Sequence, residues 1–171
     1  MKKIIVVLIG LFLIGCKSVQ PKTSENVKSE INLILDNWHK AAGKADFDAY
    51  FNVLTEDAIY IGTDPTENWN KPAFIKFAKP YFDRGKAWNF TALERNIYFS
   101  SDKKIVWFDE LLNTQMKICR GSGVLVDEGN GNWKIKHYVL SMTIPNDNTD
   151  EVVKIKSLIE DKEIEKLKKG E

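Results

Sequence analysis

His137 and Asp109 are the pair in this chain best placed by pattern for acid–base chemistry. His137 lies in Trp133-Lys134-Ile135-Lys136-His137-Tyr138-Val139-Leu140-Ser141, and Asp109 lies in the apolar-rich stretch 104–113. An imidazole beside a carboxylate passes protons to or from a substrate near neutral pH. Alternation decides which way these side chains point. Lys134 and Lys136 face water, which sends Trp133, Ile135, His137, Val139 and Ser141 inward. In the stretch before, Arg120, Ser122, Val124 and Val126 share one face, opposite Gly121, Gly123 and Leu125. Two phases compete for 104–113: Trp107, Asp109 and Leu111 point inward, or Val106, Phe108 and Glu110 do, and the first is preferred. A buried guanidinium is costly unless paired, so an inward Arg120 asks for Asp109 or Glu110 beside it. With Tyr60 or Tyr50 added, this set would suit a hydro-lyase or isomerase built on His137 and Asp109. The alternative is a polar network that only satisfies itself inside a filled core.

Other chemistries leave no trace. No G-x-S-x-G, H-E-x-x-H, P-loop, dinucleotide fingerprint or paired CxxC occurs. The loop 62–69 holds Thr63, Asp64, Thr66, Glu67 and Asn68, but lacks the regular acidic spacing of an EF-hand. No metal and no cofactor is expected, and the loop reads better as a lid anchored by Trp69. His39, next to Trp38 at the border of an apolar stripe, reads as a boundary residue without a role. The 25 basic and 24 acidic residues leave a formal charge of +1. That balance speaks against a nucleic-acid partner, since phosphate contacts draw on an excess of Lys and Arg.

The elements that position these residues follow from period. Val27, Ile31, Ile34, Leu35, Trp38, Ala41 and Ala42 recur at helical spacing, with Gly43 as a stop. Asp46 caps a second helix carrying Phe47, Tyr50, Phe51 and Leu54. Residues 58–61 make a short strand, and 62–70 a turn-rich loop. Pro72 opens a third helix through Phe74, Phe77 and Ala78, which Pro80 should end. From residue 88 the period is two, predicting strands at 88–99, 104–113, 116–126 and 133–142; the Asn130-Gly131 pair between the last two is a hairpin signal. Connections this short predict an antiparallel meander after the helices, an α+β chain.

The two ends differ from the middle. Lys2 and Lys3 precede an apolar run over residues 4–15, too short to span a bilayer, for which about 20 residues are needed. The run reads as a secretory signal peptide, and Leu13-Ile14-Gly15-Cys16 resembles a bacterial lipobox. Cleavage before Cys16, with lipid (diacylglycerol and palmitate-type acyl chains) on its thiol, implies an anchored lipoprotein of the bacterial cell envelope, the outer membrane favoured because Lys17 is not an inner-membrane retention residue. It removes Lys2 and Lys3 and turns the formal charge to −1. Cys119 is then the remaining thiol, expected to be buried and unpaired. The expected organisation is signal peptide 1–15, tether 16–23, domain 24–147 and a charged C-terminal helix 148–171.

The middle segment resembles the SnoaL-like branch of the nuclear transport factor 2-like superfamily. The resemblance rests on Trp38-His39-Lys40-Ala41-Ala42 with Asp46-Phe47-Asp48-Ala49-Tyr50-Phe51, on Asp57-Ala58-Ile59-Tyr60 and Ile61-Gly62-Thr63-Asp64, on Arg120-Gly121-Ser122-Gly123-Val124-Leu125, and on the segment from Trp133 to Ser141. It implies three N-terminal helices packed in a strongly curved antiparallel sheet, a cone-shaped, cystatin-like roll with a pocket inside, plus the charged C-terminal helix. The superfamily includes an isomerase, dehydratases, cyclases and assembly domains, so fold does not fix the reaction. The expected pocket gathers Trp38, Tyr50, Tyr60, Trp69, Trp107, Arg120, Trp133 and Ser141 around a small-molecule ligand, bound without chemistry. The alternatives are catalysis of the ketosteroid isomerase or polyketide cyclase type by His137 and Asp109, or a homodimeric assembly module that pairs sheets through Tyr138 and Leu140. The two pocket readings require His137 on the concave face.

Overall fold

Thr23 starts the first helix: its side chain accepts the Asn26 N–H at 3.2 Å, capping α1 (Ser24–Gly43). This computed structural model describes residues 23–170. The leader, Cys16 and most of the tether lie outside the described residues. Val27, Ile31, Leu35, Trp38 and Ala42 form the buried stripe of α1, as their spacing predicts. Asp46 caps α2 (Phe47–Phe51) by accepting the Ala49 N–H at 3.1 Å. That helix is shorter than expected, because Leu54 opens strand β1 (Leu54–Ile61) rather than closing a helical face. The loop after it contains a short strand, β2 (Asn68–Asn70), paired with the end of β1.

Asn70 then caps α3 (Lys71–Asp83), and Pro72 sits in its first turn. Pro80 does not end this helix, contrary to expectation. Phe74, Ala78 and Phe82 recur every four residues on its buried face, and Phe82 packs against Tyr50, Phe51 and Phe47 at ring separations of 5.3, 5.7 and 5.7 Å. Burying a Phe contributes roughly 1.5–3 kcal/mol, enough to carry the helix past an exposed proline that lacks one N–H. Pro80→Ala is therefore expected to stabilise the fold by about 1 kcal/mol, read as a higher urea midpoint. An unchanged or lower midpoint would show that the proline costs nothing here.

Four long strands follow: β3 (Phe90–Phe99), β4 (Ile105–Thr114), β5 (Lys117–Asp127) and β6 (Trp133–Met142). The six strands form one sheet in the order β2-β1-β6-β5-β4-β3. All neighbours are antiparallel except β1 and β6, which run parallel with Ile59 opposite His137. The sheet is therefore mixed rather than wholly antiparallel: the chain leaves β1, builds α3 and three further strands, and returns to lie beside it. Its concave side holds α1–α3 against a core that includes Trp38, Tyr50, Phe74, Leu112, Leu125 and Tyr138. A 3₁₀ turn (Asn146–Asn148) leads to α4 (Thr149–Lys169), none of whose residues is buried. Among the described residues no helix is long and apolar enough to cross a membrane.

Two bulges reset which side chains face inward. In β3, Ala92 pairs with Leu112 and Glu94 with Leu111, so Leu93 is an extra residue. In β6, Ile135 pairs with Leu125 and His137 with Val124, so Lys136 is extra. Each extra residue shifts the alternation by one. Trp133 and Ile135 are buried, then Tyr138 and Leu140 are, while His137, Val139 and Ser141 turn to the outer face.

Candidate ligand-binding site

The concave face carries a polar cluster centred on Glu110, in the phase of β4 that was the less favoured alternative: Val106, Phe108, Glu110 and Leu112 are buried, and Trp107 and Asp109 face out. Glu110 Oε1 accepts from His39 Nε2 at 2.8 Å and from the Tyr138 hydroxyl at 3.1 Å. Its Oε2 accepts from Arg95 Nε at 2.9 Å. Arg95 Nη2 also lies 2.8 Å from Oε2 but without hydrogen-bond alignment, so that contact is one of charge. Arg95 Nη1 donates to Asp36 Oδ1 at 2.8 Å and to the Asn32 side-chain and backbone oxygens at 3.2 and 3.3 Å.

Burial pushes the Glu110 carboxyl up, but the His39 hydrogen bond and the His39 and Arg95 charges more than offset it and hold the group below its ordinary value. An ionised Glu110 makes His39 Nε2 the donor. Burial, and then the Glu110 charge, push the Tyr138 hydroxyl well above its usual range. Burial does the same to Tyr50 and Tyr60. All three phenols are thus neutral donors at any ordinary pH.

Beside the cluster the cone is filled with rings. Trp38 stacks on Tyr50 at 5.1 Å and meets the edge of Tyr138 at 4.8 Å, and Tyr60 stacks on Phe74 at 3.9 Å. The space left over lies at the mouth. A cavity of about 150 Å³ is bounded by Tyr60, Trp69, Phe74, Phe77, Trp88, Phe90, Met116 and Leu140, with Thr63, Glu67 and Gln115 on its rim. Trp69 lies 4.3 Å from Phe77 and 5.7 Å from Phe74, one wall of this space. The loop bearing Glu67 is tied down by Gly62 N–H to Glu67 O at 2.9 Å and Asp64 N–H to Glu67 Oε2 at 3.2 Å. A second, larger cleft of about 330 Å³ is bordered by Asp36, His39, Lys40, Asn89 and Phe90.

The residues singled out from the sequence are divided among three places. Trp38, Tyr50, Tyr60 and Trp133 are buried in the core, and Trp69 lines the mouth cavity. Trp107, 45% exposed, stacks on Tyr98 on the outer face, where Arg120 and Ser141 sit as register partners. Asp109 accepts from Asn96 on that same face. His137 is on it too, opposite Val124, so the condition set by both pocket readings of the sequence fails: the pocket expected around His137 and Asp109 does not form, and any ligand site has to rest on other residues. Tyr138 and Leu140 are buried, 1% and 4% exposed, so they form no assembly surface. His39 is no boundary residue: at 3% exposure it is a member of the buried cluster. Cys119 is buried and free. Among the described residues no group of three or more His, Cys, Asp or Glu side chains converges on a point where a metal ion would sit.

Sequence reasoning missed Arg95, gave His39 no role, and kept Glu110 only as the less favoured inward residue. Arg95 gave one signal, a lone cation in an otherwise strand-like stretch, but its inward direction depends on the Leu93 bulge.

Solved structures share this architecture. A nuclear transport factor 2-like (NTF2-like) protein of unknown function from Pseudomonas putida superposes with a TM-score of 0.61 at 12% identity, over 74% of this chain and 94% of that one. An NTF2-like protein from Cytophaga hutchinsonii gives 0.56 at 16% identity, over 68% and 98%. A scytalone dehydratase candidate from Novosphingobium aromaticivorans gives 0.57 at 14% identity, over 68% and 84%. At such identities the likeness shows the fold alone. A search of curated proteins finds no match. Residues 31–145, two thirds of the sequence, match the SnoaL-like domain, and the chain belongs to that family.

Proposed function

We propose that this domain holds a small, mainly aromatic ligand at the mouth of its cone and does no chemistry on it. We propose further that Cys16 and its lipid attach it to a bacterial cell envelope, with the outer membrane favoured. The observation that carries the binding reading is the cavity of about 150 Å³ walled by Tyr60, Trp69, Phe74 and Phe77. An apolar cavity of about that size takes one benzene-sized ring. The ionisable groups deeper in are spoken for: Glu110 is fully enclosed and each of its oxygens is engaged by protein donors. That leaves the mouth with shape and apolar surface and without a free acid or base at its floor.

The test is calorimetric titration with toluene. A Kd of about 1 mM is expected, within the range open to a ligand of so few atoms. Met116→Trp, which fills the cavity, should weaken it at least about tenfold. Equal heats from the two proteins would count against the site.

A second reading, a hydro-lyase or isomerase, has one observation in its favour. His39 and Glu110 form an imidazole–carboxylate pair at 2.8 Å, and His39 borders the 330 Å³ cleft. Chemistry there needs a substrate hydroxyl to reach an imidazole whose side chain is 4% exposed. The neighbour described as a scytalone dehydratase candidate gives this reading a direction for substrate screens.

A further inference from the structure

The mouth cavity has a charged neighbour. A cleft of about 540 Å³ opens beside it, lined by Lys40 and Lys44 from the end of α1, by Lys86, Trp88 and Asn89 from the link between α3 and β3, and by Gln115 from the β4–β5 turn. No carboxylate lines it. Lys71, Lys79, Lys136, Lys156, Lys166 and Lys168 each pair with an acidic side chain. Lys40, Lys44 and Lys86 form no ion pair among the described residues. In a chain whose charge is nearly balanced, three free ammonium groups around one concavity make a local positive field, and a cleft lined by one sign of charge concentrates the opposite ion.

Two features connect this cleft to the aromatic cavity. Trp88 and Gln115 line both, so they are the wall that the two spaces share. The Gln115 carbonyl accepts the Asn89 backbone N–H at 3.4 Å, which leaves the Gln115 NH₂ group to donate. Of the acids on the adjoining spaces, Asp36 is paired with Arg95, and Glu67, which keeps its charge while accepting the Asp64 N–H, lines the aromatic cavity and not the lysine cleft. A bound anion would place its ring among Tyr60, Trp69 and Phe74 and its charge past Trp88, on the lysine side.

We infer that the ligand is an aromatic anion, a ring-bearing carboxylate whose ring fills the mouth cavity and whose charged head is held by Lys40, Lys44 and Lys86. This deepens the proposed function and rests on it. The inference is tested by titrating the full chain with 3-phenylpropionate and with its uncharged analogue 3-phenylpropanol. The acid should bind about tenfold more tightly at an ionic strength of about 0.02 M, the sum of three modest exposed ion pairs. The preference should largely vanish at about 0.3 M, where such charges are screened. In the triple variant Lys40→Gln, Lys44→Gln, Lys86→Gln the acid should fall to the affinity of the alcohol, with alcohol binding and the urea midpoint unchanged. Equal affinities in the parent protein, or a preference that survives the triple variant, would overturn the inference while leaving the aromatic cavity standing. Failure of both probes to bind would remove the cavity reading as well, and the inference with it.

Discussion

Glu110→Ala is expected to destabilise the domain by about 3–5 kcal/mol, because it leaves a charged guanidinium without its main buried partner. Arg95 has a side chain only 5% exposed, and after the substitution it keeps Asp36, which is 60% exposed, and Asn32. His39 and Tyr138 lose their acceptor at the same time. Urea unfolding should show the loss directly, and a midpoint equal to that of the parent protein would contradict the account. Glu110→Gln keeps an acceptor for these donors and removes the charge, so its loss should be smaller.

The same carboxylate sets a pH dependence. Its pKa in the folded protein lies below the ordinary value of 4.5. A group depressed in this way contributes stability that is fully present above the unfolded value and is lost as pH falls through the folded one. The stability gap between the parent protein and Glu110→Gln should therefore hold constant above about pH 5 and narrow as pH drops below about 4. A gap that widened in acid would reverse the sign and remove Glu110 as the charge that His39 and Arg95 stabilise.

Gly123→Ala is the second large effect, expected at about 3 kcal/mol, near the upper end for overpacking. A Cβ there would stand 2.6 Å from the backbone oxygen of His137 and 2.8 Å from the Phe108 ring. The oxygen belongs to the bulged stretch of β6 and has nowhere to move without breaking the pairing that resets the strand. Gly121→Ala should destabilise as well: its Cβ would stand 2.3 Å from the Tyr138 hydroxyl and 2.9 Å from Glu110 Oε1, two buried groups that are hydrogen-bonded to each other. Thermal unfolding of both variants checks these losses. A Gly123→Ala protein as stable as the parent would mean that the bulge is soft.

The glycines mark how far the sequence could be read. Gly121 and Gly123 stand out in it as a place for a bend, whereas their use here is to admit Tyr138, Phe108 and the β6 backbone. The helices and long strands were legible because their apolar residues recur at 3.6 or 2, and hardly any side chain along α1 breaks the pattern. Inward facing in the sheet was not. A single extra residue, Leu93 in β3 or Lys136 in β6, exchanges the two faces of a strand beyond it, and neither residue type announces a bulge. Lys136 pointed to water as expected, yet His137 next to it did so too. The mistaken phase in β4 had a different cause. The phase with Trp107 and Asp109 inward was preferred to the one with Glu110 inward, but Glu110 is tolerated inside because His39 and Arg95, distant in sequence, converge on it. The mouth cavity depended on the loop that brings Trp69 over Phe74, and of its walls Trp69 and Tyr60 were legible as aromatic anchors. Met116 and Leu140 were not, since they reach the cavity from a turn and from beyond the bulge.

The central claim is that one aromatic ring sits at the cone mouth, and the most direct measurement is a set of NMR contacts between toluene and the methyl groups of the protein. The account predicts nuclear Overhauser effects from the ring to the methyls of Met116 and Leu140, both on the cavity wall. They should be absent from Ile155, Leu158 and Ile159, whose side chains stand exposed on α4. Contacts to those α4 methyls instead, or none to Met116 and Leu140 at saturating toluene, would contradict it.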